Sequence, residues 1–147
     1  MFFNRPGKDD RIDDAWLRGV LDNAADAIFI ADPDGRYIYA NKEATALLGY
    51  SVDELLTMCI PDVVAREDIT DTLDKFYTAR LIGLKRDERN LRRKDGSFVP
   101  VEIFITKLPN GNMYGSCRDI SARKRVESAL RESENRFRLM FESTADA

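Results

Sequence analysis

The stretch at 26–41, Asp-Ala-Ile-Phe-Ile-Ala-Asp-Pro-Asp-Gly-Arg-Tyr-Ile-Tyr-Ala-Asn, restricts the possible folds more than any other part of the chain. Two segments rich in Ile, Tyr and Phe, at 26–32 and 35–40, flank Pro33-Asp34-Gly35. The proline presets one turn dihedral and the glycine supplies the positive φ that another turn position needs. The segments therefore form a β-hairpin. Both faces of that hairpin are apolar, so the sheet it starts needs cover on both sides, one side by its own helices and the other by something else.

At 147 residues and 44% hydrophobic, the chain suffices for one globular domain with a true core and an extension. A net charge of −3 argues against a nucleic-acid partner, which would call for a basic footprint. The basic run Arg92-Arg93-Lys94 precedes a turn and reads as an exposed strand end. Cys59 and Cys117 lie far apart and match neither a disulfide framework nor a zinc spacing, which points to a reducing, cytoplasmic setting. No apolar stretch is long enough to span a bilayer, so no membrane contact is expected. Histidine is absent, and with it the commonest general base, the usual haem ligand and the phosphoacceptor of a histidine kinase. No nucleophile elbow, phosphate loop or metal-ligand spacing occurs, and the acidic groups Glu67, Asp68, Asp71 and Asp74 read as a solvated helix face. The chain reads as non-catalytic and metal-free.

Residues 1–9 lack periodicity and are expected to be a mobile tail. A helix at 10–24 places Ile12, Trp16, Val20 and Ala24 on one stripe, to be buried on the domain's sheet or on a second copy. Asn41 can cap a short helix that Gly49 stops, and Ser51 with Glu54 forms a capping box for the next. A longer helix at 65–80 sets Ile69, Leu73, Phe76 and Tyr77 on one face. Three strands follow at 87–93, 98–106 and 113–118, the last two joined by Asn110-Gly111. Within the middle one, Val99, Val101, Ile103 and Ile105 share one face, and Phe98, Pro100, Glu102 and Phe104 the other. Pro100 suits an edge strand or a bulge.

From 120 to 142 the pattern is helical, with Val126, Leu130, Ser133, Phe137 and Met140 spaced by fours and threes as in a coiled-coil seam. Glu127 with Arg131, Glu132 with Arg136, and Glu134 with Arg138 are i, i+4 pairs in the favoured orientation. Such a helix projects roughly 35 Å, too far for one small domain to cover, so its seam needs another chain. Laying 136–147 on 16–27 matches Arg138 with Arg18 and Ala145-Asp146-Ala147 with Ala25-Asp26-Ala27, which suggests that a second copy of the unit starts at 143–147.

Several stretches together resemble the PAS sensor family: Asp-Ala-Ile-Phe-Ile-Ala-Asp-Pro-Asp-Gly at 26–35, Tyr-Ala-Asn at 39–41, Leu-Leu-Gly-Tyr-Ser-Val-Asp-Glu-Leu at 47–55, Arg-Arg-Lys-Asp-Gly-Ser-Phe-Val-Pro-Val-Glu at 92–102 and Arg-Asp-Ile-Ser at 118–121. The resemblance implies an α+β fold, a five-stranded antiparallel sheet with helices on one face enclosing a pocket. The PAS core would occupy 25–119, flanked by the N-terminal helix at 10–24 and a signalling helix at 120–142. Asp119-Ile120-Ser121 looks like the family's junction between the last strand and that helix. Such domains mostly serve as sensory input modules of bacterial sensor kinases, diguanylate cyclases or regulators, and some act as ligand-free interaction or dimerisation modules. By the resemblance, Phe29, Ala31, Phe76, Phe104 and Cys117 would line the pocket, with Tyr39 and Glu102 as its polar groups. The pocket would take a small organic or fatty acid, or else be a closed core. A homodimer would form through Ile12, Trp16 and Val20 and through Val126, Leu130, Phe137 and Met140. In the light-sensing flavin subfamily, Cys59 falls on an asparagine's place and Ile60 on the reactive cysteine's, which argues against a photoadduct and leaves a non-covalent redox flavin open. The missing histidine argues against a His-ligated haem.

Overall fold

The computed structural model describes the backbone of residues 10–82 and 84–145, and the surroundings of the side chains at 15–82 and 86–142. The tail expected at 1–9 and the side chain of Ile12 lie outside the described residues. The elements are α1 (Asp10–Asp22), β1 (Ala27–Ala31), β2 (Tyr37–Ala40), α2 (Lys42–Leu48), α3 (Val52–Leu55), α4 (Ile69–Ile82), β3 (Leu84–Arg92), β4 (Phe98–Lys107), β5 (Met113–Asp119) and α5 (Ser121–Ala145). Short 3-10 turns at Ile60–Val63 and Arg66–Asp68 lead into α4. The strands make one antiparallel sheet in the order β2-β1-β5-β4-β3.

The β1–β2 turn forms where proline and glycine place it, with Gly35 at φ 88° and the Asp32 carboxylate accepting from the N–H groups of Asp34 and Arg36. Opposite Ile30 and Ala31 the register shifts by one residue, so Ile38 drops out of the ladder. Phe29 and Ala40 below the bulge, and Ala31 and Tyr37 above it, thereby share the inner face. Leu48 of α2, Leu55 of α3 and Val63 of the first 3-10 turn bury against that face, together with Val99 and Val101 of β4.

Asn41 holds the start of this arrangement together. It is fully buried, and its Oδ1 accepts from the N–H groups of Ile28 and Ala44, both at 2.9 Å. Its Nδ2 donates to the carbonyls of Leu21 at 2.8 Å and Asp26 at 3.0 Å. One side chain thus spends both acceptor positions and both donors on α1, β1 and the cap of α2. The helix that it caps ends at Gly49, in the left-handed conformation, and the capping box of Ser51 and Glu54 starts α3.

Three expectations need correction. The buried side of α4 is Thr72, Phe76 and Ala79, and Tyr77 is exposed. The helix is turned so that a threonine, not Tyr77, meets the sheet beside Phe76. Pro100 lies neither on an edge strand nor at a bulge, because β4 is an interior strand. At its level β5 has already ended: Asp119 pairs with Val101, and the Ile120 N–H donates to the Pro100 carbonyl at 3.0 Å. The N–H that proline lacks would face this side, where no further strand residue asks for it. On α5, Glu127 pairs with Arg123 and Lys124, and Arg138 donates to Asn135, in place of the expected i, i+4 partners.

The outer face of the sheet leaves Phe98 and Phe104 exposed, and the α1 stripe exposes Trp16 and Val20. The second face is therefore only partly covered by the described part of this chain, since Ile28 is buried there while Phe98 and Phe104 are not. Along α5, Val126, Leu130, Phe137 and Met140 are all exposed, from 59% to 71%.

Candidate ligand cavity and relay junction

Two apolar clusters meet under α4. One is the main core around Phe29, Val63, Leu91 and Cys117; the other comprises Phe76, Ala79 and Met113; Ile60 packs against both. They do not close completely on each other, and a cavity of about 70 Å³ remains between them. Phe29 and Ala31 of β1, Tyr37 of β2, Thr72 and Phe76 of α4, and Cys117 of β5 supply much of its wall. The Phe29 and Tyr37 rings pack at a tilt, with centroids 5.2 Å apart.

The electrostatics of the wall are simple. Among the described residues no charged side chain lines the cavity. Burial pushes the Tyr37 phenol far above its ordinary range, with smaller contributions from Cys117, Cys59 and Asp62. Burial, with Asp26 adding to it, pushes the Cys117 thiol up to about 12. Both groups are neutral at physiological pH. Thr72 is the exception to an otherwise satisfied interior: its Oγ1 is buried and has no hydrogen-bond partner among the described residues. The nearby charges belong to a separate cluster that fastens α4 to β3. Lys75 reaches Asp87 at 2.8 Å and Asp71 at 3.4 Å, while Arg89 reaches Asp87 at 2.7 Å and also pairs with Asp71.

The structure brings Phe29, Ala31, Phe76 and Cys117 together on this wall, as expected from the sequence. It does not bring Tyr39, Glu102 or Phe104 there. Cys117 pairs with Ile103, so Ile103 and Ile105 point inward and the residues between and beside them, Glu102 and Phe104, point outward. Tyr39 pairs with Ile30 on the outer face and donates its hydroxyl to Asp22 of α1 at 2.6 Å. Tyr37 and Thr72, the polar groups present, escaped the sequence reading. For Tyr37 the missing signal is the bulge at Ile38, which no residue pattern announced.

The cavity wall continues directly into the chain's exit. Two residues beyond Cys117, the Asp119 carboxylate accepts from the N–H of Ser121 at 2.8 Å and from its hydroxyl at 2.5 Å, starting α5. Partial burial alone would raise the Asp119 pKa, but the Ser121 hydrogen bonds and the charges of Arg93 and Arg125 hold it below the usual carboxylate range. Ile120 between them is buried. On the outer face, Glu88 and Glu102 stand directly opposite each other across β3 and β4. Arg123 of α5 pairs with both, Lys124 reaches Glu88 at 3.0 Å, and Arg86 reaches Glu102 at 2.9 Å. Two like charges, which would repel each other across the ladder, are thus bridged by the first turn of the exit helix.

A family model described as PAS domain matches residues 25–122. The chain belongs to the PAS domain family. As a PAS domain it is related to parts of sensor histidine kinases. It is 31% identical over 131 residues to sporulation kinase E of Bacillus subtilis, covering 88% of this chain and 18% of that protein. It is 32% identical over 120 residues to the cell-division control histidine kinase PdhS of Brucella ovis, covering 78% of this chain and 12% of that protein. The chain therefore spans under a fifth of the length of these relatives. A crystallised domain of the sensory box sensor histidine kinase/response regulator from Geobacter sulfurreducens superimposes with a TM-score of 0.66 at 26% identity, covering 76% of this chain and all of that one. No helix among the described residues is long and apolar enough to cross a membrane.

A flavin does not fit this PAS cavity. A cavity of about 150 Å³ takes a single benzene ring, and the space here is about 70 Å³, too little for a tricyclic ring system. Cys59 is turned to Asp62, its Sγ 3.2 Å from the carboxylate, and Ile60 holds the wall.

Proposed function

We propose that this PAS domain is a sensory input module of a signalling protein of the sensor histidine kinase or diguanylate cyclase type, non-catalytic in itself, with a small ligand in its cavity and a dimeric exit helix as its output. The observation that carries this reading is the continuity of β5, which forms the cavity wall at Cys117 and becomes the Asp119-Ile120-Ser121 junction within two residues. A shift of Cys117 or its partner Ile103 is passed along the ladder to Val101 and Asp119, and so to the place where Ile120 meets Pro100. The exit helix then moves relative to the Glu88 and Glu102 pair.

The exposed row of Val126, Leu130, Phe137 and Met140 supports a dimer, since such a row at heptad-like spacing is buried by the same row of a second chain. The Trp16 and Val20 stripe of α1 would extend that interface over the outer face. In the same reading, 120–142 separates two sensory units and 143–147 opens the second. The reduced state expected of Cys59 and Cys117 suits a cytoplasmic placement. The small size of the cavity favours one alternative, an interaction module whose core needs no ligand.

Native mass spectrometry tests the dimer. The wild-type chain is expected to give the mass of two chains at micromolar concentration, and Leu130→Asp combined with Phe137→Asp the mass of one. A wild-type monomer would refute the α5 seam.

A further inference from the structure

Resting on the reading of the cavity as a ligand site, we propose that its ligand is a small uncharged molecule of about three or four non-hydrogen atoms carrying one hydrogen-bonding oxygen, a short alcohol, aldehyde or ketone, anchored by the Thr72 hydroxyl. Three observations converge on this class.

The first is charge. No cation lines the wall, and Lys75 and Arg89 are already held by Asp71 and Asp87. An ionised carboxylate would be buried without a counter-charge, which is costly enough that it would stay in water. The organic or fatty acid expected from the sequence therefore does not suit this wall. The second is size. The space is about half that of the roughly 150 Å³ cavity that accepts benzene, so a long acyl chain or an aromatic ring is too large. The third is the unpaired hydroxyl. A hydroxyl buried without a partner is destabilising, and a ligand oxygen, whether alcohol or carbonyl, restores the missing bond because the threonine hydroxyl both donates and accepts. Water would restore it too, but a buried water holds two to four polar partners. Besides Thr72 the wall has the Tyr37 phenol, and the rest of it is Phe29, Ala31, Phe76 and other mainly apolar neighbours, so a molecule with one polar end and an apolar remainder matches it better than water does.

The test is an amide NMR titration of the whole chain with acetone, propan-2-ol, propionate and xenon at neutral pH, repeated with Thr72→Val and Thr72→Ser. Acetone and propan-2-ol are expected to produce saturable shifts centred on residues 29, 72, 76 and 117, with propionate at least about tenfold weaker. Thr72→Val should weaken the two oxygen-bearing probes by about tenfold and leave xenon unchanged, while Thr72→Ser keeps their binding. Propionate binding as well as acetone would overturn the uncharged class. Unchanged acetone binding in Thr72→Val would overturn the anchor. Xenon entering where neither oxygen-bearing probe does would overturn the ligand class and leave the cavity standing. If xenon also fails to enter, there is no accessible cavity, and the sensory reading falls with the ligand.

Discussion

Asn41 offers the most exacting check on how this domain is held together. Replacing it by alanine removes four hydrogen bonds at once, all made by a side chain that is itself fully buried. Loss of the α2 cap costs about 1 kcal/mol. The Ile28 N–H, left buried and unpaired, adds about 1–3 kcal/mol. The carbonyls of Leu21 and Asp26 are only part-buried and recover some bonding from water, so they add about 0.5–1 kcal/mol each. The sum is about 3–6 kcal/mol, a large share of the roughly 5–15 kcal/mol that stabilises an ordinary domain. Asn41→Asp separates the two halves of the side chain. The aspartate still accepts from Ile28 and Ala44 but, once ionised, sets an oxygen against two carbonyl oxygens that now lie 2.8 and 3.0 Å from Nδ2. The protonated acid can donate to one of them. Its folded-state pKa is therefore raised above the unfolded value of about 4, so the deficit relative to wild type is smallest below pH about 4 and grows as the pH rises through the folded value. Urea unfolding followed by circular dichroism, at several pH values, measures both variants. A loss below about 1 kcal/mol for Asn41→Ala, or a deficit for Asn41→Asp that ignores pH, would refute this account.

Two further outcomes follow from the charges. Arg123→Ala with Lys124→Ala is expected to raise amide exchange at 121–127 severalfold with little movement of the unfolding midpoint, because each exposed pair contributes little to global stability. Adding Glu88→Gln, which relieves its repulsion with Glu102, should restore part of the protection; no restoration would count against the bridged pair. The carboxyl groups of Asp71, Glu54 and Glu88 are held below the usual range, chiefly by Arg89, Lys94 and Lys124 respectively, and that of Asp95 by Ser97. Their folded pKa values are depressed, so their contribution is present above the ordinary carboxylate value near about 4 and is lost as the pH falls below it through the folded values. Urea midpoints that stay constant from neutral pH down to pH about 3 would contradict this.

Local chemistry was the legible part of the sequence. The turn at Gly35, the cap at Asn41, the stop at Gly49 and the box of Ser51 with Glu54 each depend on residues within a few positions of one another, and all are present. What depended on distant partners was not legible. Residues 98–106 are apolar on both faces, and only the pairing of Ile103 with Cys117 decides that Phe104 faces outward. On α4 the hydrophobic stripe pointed to Tyr77, whereas the sheet received Thr72, a residue that no hydrophobic pattern selects for an interior position. Asn41 could be seen as a cap, but its bonds to Leu21 and Asp26 require α1 to have returned beside β1. For Pro100 the deciding fact was where another strand stops.

The way α5 leaves the sheet has a mechanical consequence. Its first turn is secured by one buried isoleucine, one backbone hydrogen bond to Pro100 and a set of half-exposed ion pairs, whereas the core proper begins at Val101 on the other side of the sheet. Ion pairs in contact with solvent are weakened by dissolved salt, whose screening length is about 8 Å at physiological ionic strength. In the proposed relay the helix acts as a rigid lever on a salt-tuned pivot, its angle changing while the apolar contacts beneath the sheet stay closed.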